Sequence, residues 1–364
     1  MKVTNVANEF DIKGTVQTTL PYGDGHINDT YKVTCLSDEK NIHYILQGIN
    51  NSVFKDVEGL MKNIEGVTTY LSDSIKRNSI NAKCLRLVKT KTGKSYYKDE
   101  TNKYYRIYEF IENSTGYLFA DTLDKLYEAG KAFGEFSKLL ADYPVETLGE
   151  TIEDFHNTPV RYEAFLKAVE ADAFDRKKDC LEEIKFVEDR KSITSVITSN
   201  IESKNIPLRV THNDTKINNV LIDDATGRYA AVIDLDTVMP GTLLCDYGDA
   251  IRSCGSTAVE DEENLDKVKL DLDRIKAYTN GYLKMLGSSI TKEEYELLPT
   301  SAVLMTFECG IRFLTDYLNG DVYFKVHRDK HNLIRARNQF KFVKELEDNM
   351  DEYKKILKER GEAK

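Results

Sequence analysis

The sequence predicts an α+β protein of two lobes, a mainly antiparallel, strand-rich part over residues 1–112 and a mainly helical part over 113–364. Three observations carry that expectation. Short β-branched and aromatic runs separated by Gly, Asn, Asp and Lys turns dominate the early chain. Apolar stripes at helical spacing dominate the later chain. Within that helical part, Val220-Leu221-Ile222 and Ala231-Val232-Ile233 flank the turn signal Asp223-Asp224-Ala225-Thr226-Gly227 and read as a β-hairpin. At 364 residues the chain is long enough for two separate cores.

In chain order, Gly23-Asp24-Gly25 precedes the strand-like run Thr30-Tyr31-Lys32-Val33, and Ile42 to Gln47 forms a second run after the turn at 37–41. Glycines here would let the backbone close over phosphates and offer N–H groups to them, although a lone Gly-x-Gly is in most chains a plain turn. Residues 54–72 carry apolar side chains at 54, 57, 60, 61, 64 and 67, a helical stripe. Strands are expected at Cys84–Val88, Ser95–Tyr97 and Tyr104–Ile111. The string Thr92-Gly93-Lys94-Ser95 resembles part of a P-loop, but Val88 stands where the first glycine belongs and the flanks alternate as in a hairpin. It reads as a turn.

The helical part opens with an amphipathic segment from Leu123 to Leu140. Residues 161–203 are charged and helical, and His156 alone reads as a loop or capping histidine. Asp246 to Arg252 begins a further helix. Over 298–318, Glu308, Arg312 and Asp316 occur at i, i+4 spacing, which predicts a surface ion-pair ladder worth a few tenths of a kcal/mol per pair or, for Arg312, a substrate contact. Gly310 sits inside that helix at a cost of roughly 1 kcal/mol, so something is expected to pack closely against it.

The chemistry gathers at the hairpin. His212-Asn213-Asp214-Thr215-Lys216-Ile217-Asn218-Asn219 precedes it and Asp234-Leu235-Asp236 comes after it. A hairpin of this length folds its ends side by side, so Asp214, Asn219 and Asp234 are expected to meet as an oxygen site for Mg²⁺, with one carboxylate left to orient a hydroxyl. A polar hairpin with capping Asp and Asn residues is the plainer reading, but it leaves the acids at both ends unexplained.

The pattern His212-x-Asp214-x-x-x-x-Asn219 followed by Ile233-Asp234 resembles the core of the aminoglycoside-phosphotransferase-like kinases, a small-molecule branch of the protein-kinase fold. That resemblance implies a bilobal protein-kinase-like fold. It makes Asp214 the catalytic base, Asn219 and Asp234 the Mg²⁺ ligands, and His212 a brace for the loop. It places Gly23 and Gly25 over the ATP phosphates, Glu109 and Ile111 in the hinge against the adenine, and Lys216 near the γ-phosphate. Asp249 would support the catalytic loop from behind, while Asp236 could be a further metal ligand or a structural acid. The helix over 54–72 stands where an inward acid is expected, with Glu58 and Glu65 as candidates. Gln47 stands where a lysine would ordinarily meet the phosphates, a departure that also admits a non-catalytic nucleotide-binding protein.

The wider set PYGDGHINDTY, VFKDVEGLMKNI, FHNTPVRY, THNDTKINNVLID, VIDLDTVMPG, DYGDAIR, ECGIRFLTDYLNGD and HNLIRARNQF resembles, in order along nearly the whole chain, the N-acetylhexosamine 1-kinase family. This implies ATP-dependent phosphorylation of the anomeric hydroxyl of N-acetylglucosamine or N-acetylgalactosamine, with Asn28, Asp29 and Arg312 on the sugar side. Aminoglycoside, choline or homoserine phosphorylation would use the same core with a different acceptor pocket.

Composition narrows the partners. With 51 basic and 61 acidic residues the formal charge is −10, which argues against nucleic acid. Six scattered cysteines and six isolated histidines make neither a zinc site nor a disulfide framework. The segment MKVTNVANEF has no apolar core, and no run of about 18 apolar residues suggests a membrane span. The expectation is a cytoplasmic enzyme acting on ATP and a small sugar, with no protein partner implied.

Overall fold

Period-two alternation along the early chain becomes an antiparallel sheet. The structure is a computed structural model that describes residues 3–23 and 27–361. The chain falls into two units, the first made of Met1–Thr115, Leu139–Glu153 and Leu221–Pro240, the second of Gly116–Lys138, Asp154–Val220 and Gly241–Lys364.

The first unit opens with α1 (Val3–Ala7), followed by β1 (Thr15–Pro21), β2 (Asp29–Ser37) and β3 (Lys40–Ile49). After α2 (Val57–Arg77) come β4 (Leu87–Val88), β5 (Tyr97–Lys98) and β6 (Tyr104–Glu109). The strand order is β1-β2-β3-β6-β4, with β5 on β6. Val6, Phe10, Val33, Cys35, Leu46 and Ile107 are wholly buried on one face of this sheet. The β3–β6 register sets Gln47 opposite Arg106. Asp56 caps α2 by accepting the Gly59 N–H at 2.9 Å, and the expected stripe is buried at Val57, Leu60, Met61, Ile64 and Val67. Thr92–Ser95 is a turn as expected, with Gly93 at φ 84° and its N–H on the Thr90 carbonyl at 2.8 Å.

The hairpin forms from β9 (Val220–Asp223) and β10 (Tyr229–Val232), with β7 (Ser114–Gly116) on the outer side of β9. Asp223 folds the turn by accepting the N–H groups of Ala225 and Thr226 at 3.2 and 2.9 Å.

The second unit holds α3 (Leu123–Leu139), α4 (Thr158–Ala171), α5 (Leu181–Glu188), α6 (Val196–Glu202), the short strand β8 (Arg209–Thr211) and α7 (Leu243–Cys254). It closes with α8 (Leu272–Leu286), α9 (Lys292–Leu318), α10 (His331–Asp348) and α11 (Met350–Gly361). Helix α9 packs against α4, α7 and α10. It is long and apolar enough to cross a membrane, yet 78% of its most apolar window is buried among those neighbours. It is a core helix. A Cβ on Gly310 would lie 2.4 Å from Phe340 Cε1, the close packing expected from a glycine in mid-helix.

The surface ladder expected on α9 does not form. Glu308 and Asp316 are 1% and 5% exposed. Asp316 instead accepts the N–H groups of Val322, Tyr323 and Phe324 at 2.8 to 2.9 Å and thereby folds the segment after the helix.

Candidate active site

The loop after β8 is held by buried acids on α7. Asp246 accepts the His212 and Asn213 N–H groups at 2.9 and 2.7 Å, and Asp249 accepts the Thr215 N–H at 2.9 Å. The supporting role expected of Asp249 is therefore shared, and Asp246 takes the larger part. Burial pushes the Asp246 carboxyl up to about 6. Burial also acts to raise Asp249, but Arg252 at 2.8 Å and Lys216 outweigh it and hold that carboxyl at about 2. Asn213 sits at φ 62°, a left-handed conformation that asparagine tolerates better than most residues. His212 is wholly buried, edge-on to Phe133 and Phe136, and its Nδ1 accepts the Asp214 N–H at 3.3 Å.

Asp214 and Asn219 do come together. Asn219 Nδ2 donates to the Asp214 carbonyl at 2.8 Å and to its Oδ2 at 3.0 Å. Both acceptors fix the amide's orientation, so Asn219 Oδ1 is turned away from Asp214, as a cation ligand would need. Lys216 Nζ lies 3.1 Å from Asp214 Oδ1, and that carboxylate holds the ammonium well above the ordinary lysine value. The Asp214 side chain is 29% exposed, so an incoming hydroxyl can reach it.

A second chain of contacts starts one residue earlier. His156 Nε2 meets the Asn213 carbonyl at 3.2 Å and its Nδ1 meets Glu308 at 2.7 Å, while Thr158 donates to the other Glu308 oxygen at 2.6 Å. This ties α9 to the loop after β8, which the capping reading of His156 did not anticipate. Four residues beyond Glu308, Arg312 is ringed by Phe155, Tyr323 and Phe324 at 4.9, 5.9 and 5.6 Å. Burial lowers the Arg161 guanidinium's pKa, and the charge of Arg312 lowers it further.

The other sequence candidates lie in the first unit. Gly23 sits at φ 75° with no described residue within 4 Å of where a side chain would project, whereas Gly25 lies outside the described residues. Glu109 ends β6, and the Ile111 carbonyl accepts the Ser114 hydroxyl at 2.8 Å. Asp234 comes two residues after β10 in left-handed backbone, φ 61° and ψ 63°. Asp29 begins β2 opposite Gly48.

Within the unit, Asn28 Nδ2 donates to Asp236 at 2.5 Å and its Oδ1 accepts the Asn50 N–H at 3.0 Å. Asp236, left open as metal ligand or structural acid, forms a buried ion pair with Arg106. Glu58 and Glu65 of α2 turn to Tyr96 and Lys89, so neither is the expected inward acid. Asn63 does face inward, and its Nδ2 donates to the Gly149 and Val238 carbonyls at 2.7 and 3.0 Å.

Among the described residues no three His, Cys, Asp or Glu side chains cluster as a metal cage. An amide and a carboxylate completed by phosphate oxygens is the kind of set Mg²⁺ takes.

Residues 18–283 match the phosphotransferase enzyme family, and the chain belongs to it. Its fold is that of solved relatives at low identity. The microcompartment-associated aminopropanol kinase is 14% identical with a TM-score of 0.64, over 96% of this chain and 97% of that one. An ethanolamine kinase from Plasmodium vivax is 15% identical with a TM-score of 0.54, over 89% and 82%. A spectinomycin phosphotransferase in complex with ADP and spectinomycin is 14% identical with a TM-score of 0.55, over 92% and 94%. The fold is thus protein-kinase-like, with an antiparallel sheet early in the chain and a helical remainder.

Proposed function

We propose that the protein is an ATP-dependent small-molecule kinase whose acceptor is the anomeric hydroxyl of a neutral N-acetylhexosamine, giving the sugar 1-phosphate. The observation that carries the kinase reading is Asp214 itself, partly open to solvent and clasped by Asn219 and Lys216 on a loop fastened from behind by Asp246. Non-catalytic descent would not require that clasp.

Asp214 orients the acceptor hydroxyl and takes its proton as the oxygen attacks the γ-phosphorus, and ADP departs. Asn219 and Asp234 would hold Mg²⁺, which supplies charge neutralisation at the phosphate oxygens. Lys216 is placed to exchange Asp214 for the transferring phosphoryl group.

The sugar assignment rests on the family resemblance and on charge. Amino-alcohol and aminoglycoside acceptors are cations, which Arg312 and Arg161 would disfavour against the opposing pull of the Glu308 and Asp154 carboxylates. Phe155, Tyr323 and Phe324 offer apolar ring faces to the C–H face of a pyranose while Arg312 donates to its hydroxyls.

The test is ATP turnover by the full chain against N-acetylhexosamines, hexoses, ethanolamine, choline and aminoglycosides. Turnover with the sugars, lost by roughly 10²- to 10⁴-fold in Asp214→Asn with nucleotide binding kept, is the expected result. Nucleotide binding without turnover on any acceptor would sink the kinase reading. Turnover confined to the amines would sink the sugar.

A further inference from the structure

The first unit holds a cation where the sequence lacks one. Gln47 occupies the β3 position at which this fold ordinarily places a lysine, and its cross-strand partner in register is Arg106 on β6. Arg106 Nε and Nη2 both donate to Gln47 Oε1, at 3.0 and 2.8 Å, and Gln47 Nε2 donates onward to Thr30 Oγ1 at 3.2 Å. The remaining arm of the guanidinium meets Asp236. Arg106 is 1% exposed and Asp236 4%. A buried guanidinium in an apolar strand is costly unless its charge is used.

Its electrostatic surroundings are the acids after β10. Burial alone would make Arg106 easier to deprotonate, but Asp236, with a smaller contribution from Asp234, outweighs burial and keeps it firmly charged. The neighbouring Tyr108 is 3% exposed, and its buried hydroxyl has no hydrogen-bond partner among the described residues. Arg106 lies over its ring at 5.3 Å. An unpaired buried donor beside a buried cation suits an anionic oxygen or a water bound to one.

The carboxylate partner is also relocated. Because Glu58 and Glu65 are engaged elsewhere, no acid from α2 reaches this cation. Helix α2 is fastened by neutral Asn63 to the Val238 carbonyl, two residues past Asp236.

We propose that Arg106, paired with Asp236 and seated across the strands from Gln47, supplies the fixed positive charge of the nucleoside triphosphate–metal site that β3 does not provide. This rests on the phosphotransferase reading of the site. Arg106 is a positioning residue: it holds Gln47 and the Asp234–Asp236 turn, and its field offsets the polyphosphate charge. Guanidinium keeps that charge at every accessible pH and divides its donors between two partners, which an ammonium on β3 would not do.

The experiment moves the charge back across the strand pair. Binding of ADP with Mg²⁺ to the full chain is measured by calorimetry for wild type, Arg106→Gln, and the double variant Gln47→Lys with Arg106→Gln, alongside thermal melting. Arg106→Gln is expected to weaken binding roughly 10- to 100-fold, and the double variant to recover most of that loss. Binding within twofold of wild type in a folded Arg106→Gln overturns the inference. So does a double variant that melts like wild type yet binds no better than the single one. If Arg106→Gln does not fold, the double variant decides: folded and binding supports the inference, while unfolded, or folded without binding, overturns it. A wild-type chain that binds no ADP overturns the phosphotransferase reading together with this one. Unchanged binding in Arg106→Gln overturns this one alone.

Discussion

Asn213 is the residue on which two supports converge. Its N–H is held by Asp246 from α7 and its carbonyl by His156, which Glu308 holds from α9. With φ at 62° it sits in a conformation that its surroundings must impose, and Asp214 is the next residue. His156→Ala removes one of those supports without touching nucleotide or metal. We expect kcat to fall about tenfold with ADP binding unchanged, because a 1 Å displacement of a catalytic group can cost that much or more. Single-turnover kinetics with parallel nucleotide titration measures both, and an unchanged kcat would reduce the His156–Glu308 bridge to packing. The link was hidden from the sequence because its partners are 152 residues apart and neither lies in a local pattern. Arg106 was hidden differently. A lone arginine at an inward position of Tyr104-Tyr105-Arg106-Ile107-Tyr108 is the signal that could have found it, but its worth depends on Gln47 lying opposite, and strand register is not written in either strand alone.

At the scale of elements, the hairpin and the α2 stripe were legible because period-two and helical spacing report burial directly. The direction of polar side chains was not. The apolar stripe of α2 passes through Asn63, so that residue faces inward, while Glu58 and Glu65 flank the stripe and face other partners. Helix α9 went the same way, since i, i+4 spacing of Glu308, Arg312 and Asp316 cannot distinguish a surface ladder from a core helix with three separate polar duties. Gly310 on that helix is the sharper element-level signal. Gly310→Ala forces Phe340 aside and should destabilise the chain by about 1–3 kcal/mol by urea unfolding, despite the better helix propensity of alanine. A stabilised variant would mean that the α9–α10 contact is slack.

The acids of α7 give the whole molecule a pH signature. Asp249 is depressed from 3.8 to about 2, so the stability it contributes is fully present above pH 4 and is lost as pH falls toward 2. Asp246 is raised to about 6, so the folded protein takes up its proton more readily than the unfolded chain, and that term strengthens as pH falls from 6 toward 4. The two oppose each other. Asp249→Asn should therefore be less stable at pH 7 and lose the steep part of the decline below pH 4, measured as unfolding free energy across the pH series. An unaltered acid limb would place the pH sensitivity elsewhere.

For the molecule as a whole, the family and the lobed α+β plan were readable from the ordered motifs, whereas the acceptor proposed above rests on how Arg312, Arg161 and three aromatic rings are assembled in space. The most direct measurement is the ratio of kcat/KM for N-acetylglucosamine or N-acetylgalactosamine to that for ethanolamine with the same chain. A neutral-sugar kinase with a paired-arginine acceptor site should favour the sugar by roughly 10²-fold or more, the scale of one unfavourable charge contact in a partly buried site. A ratio below one would contradict the sugar assignment and make the two arginines something other than the acceptor's selectors.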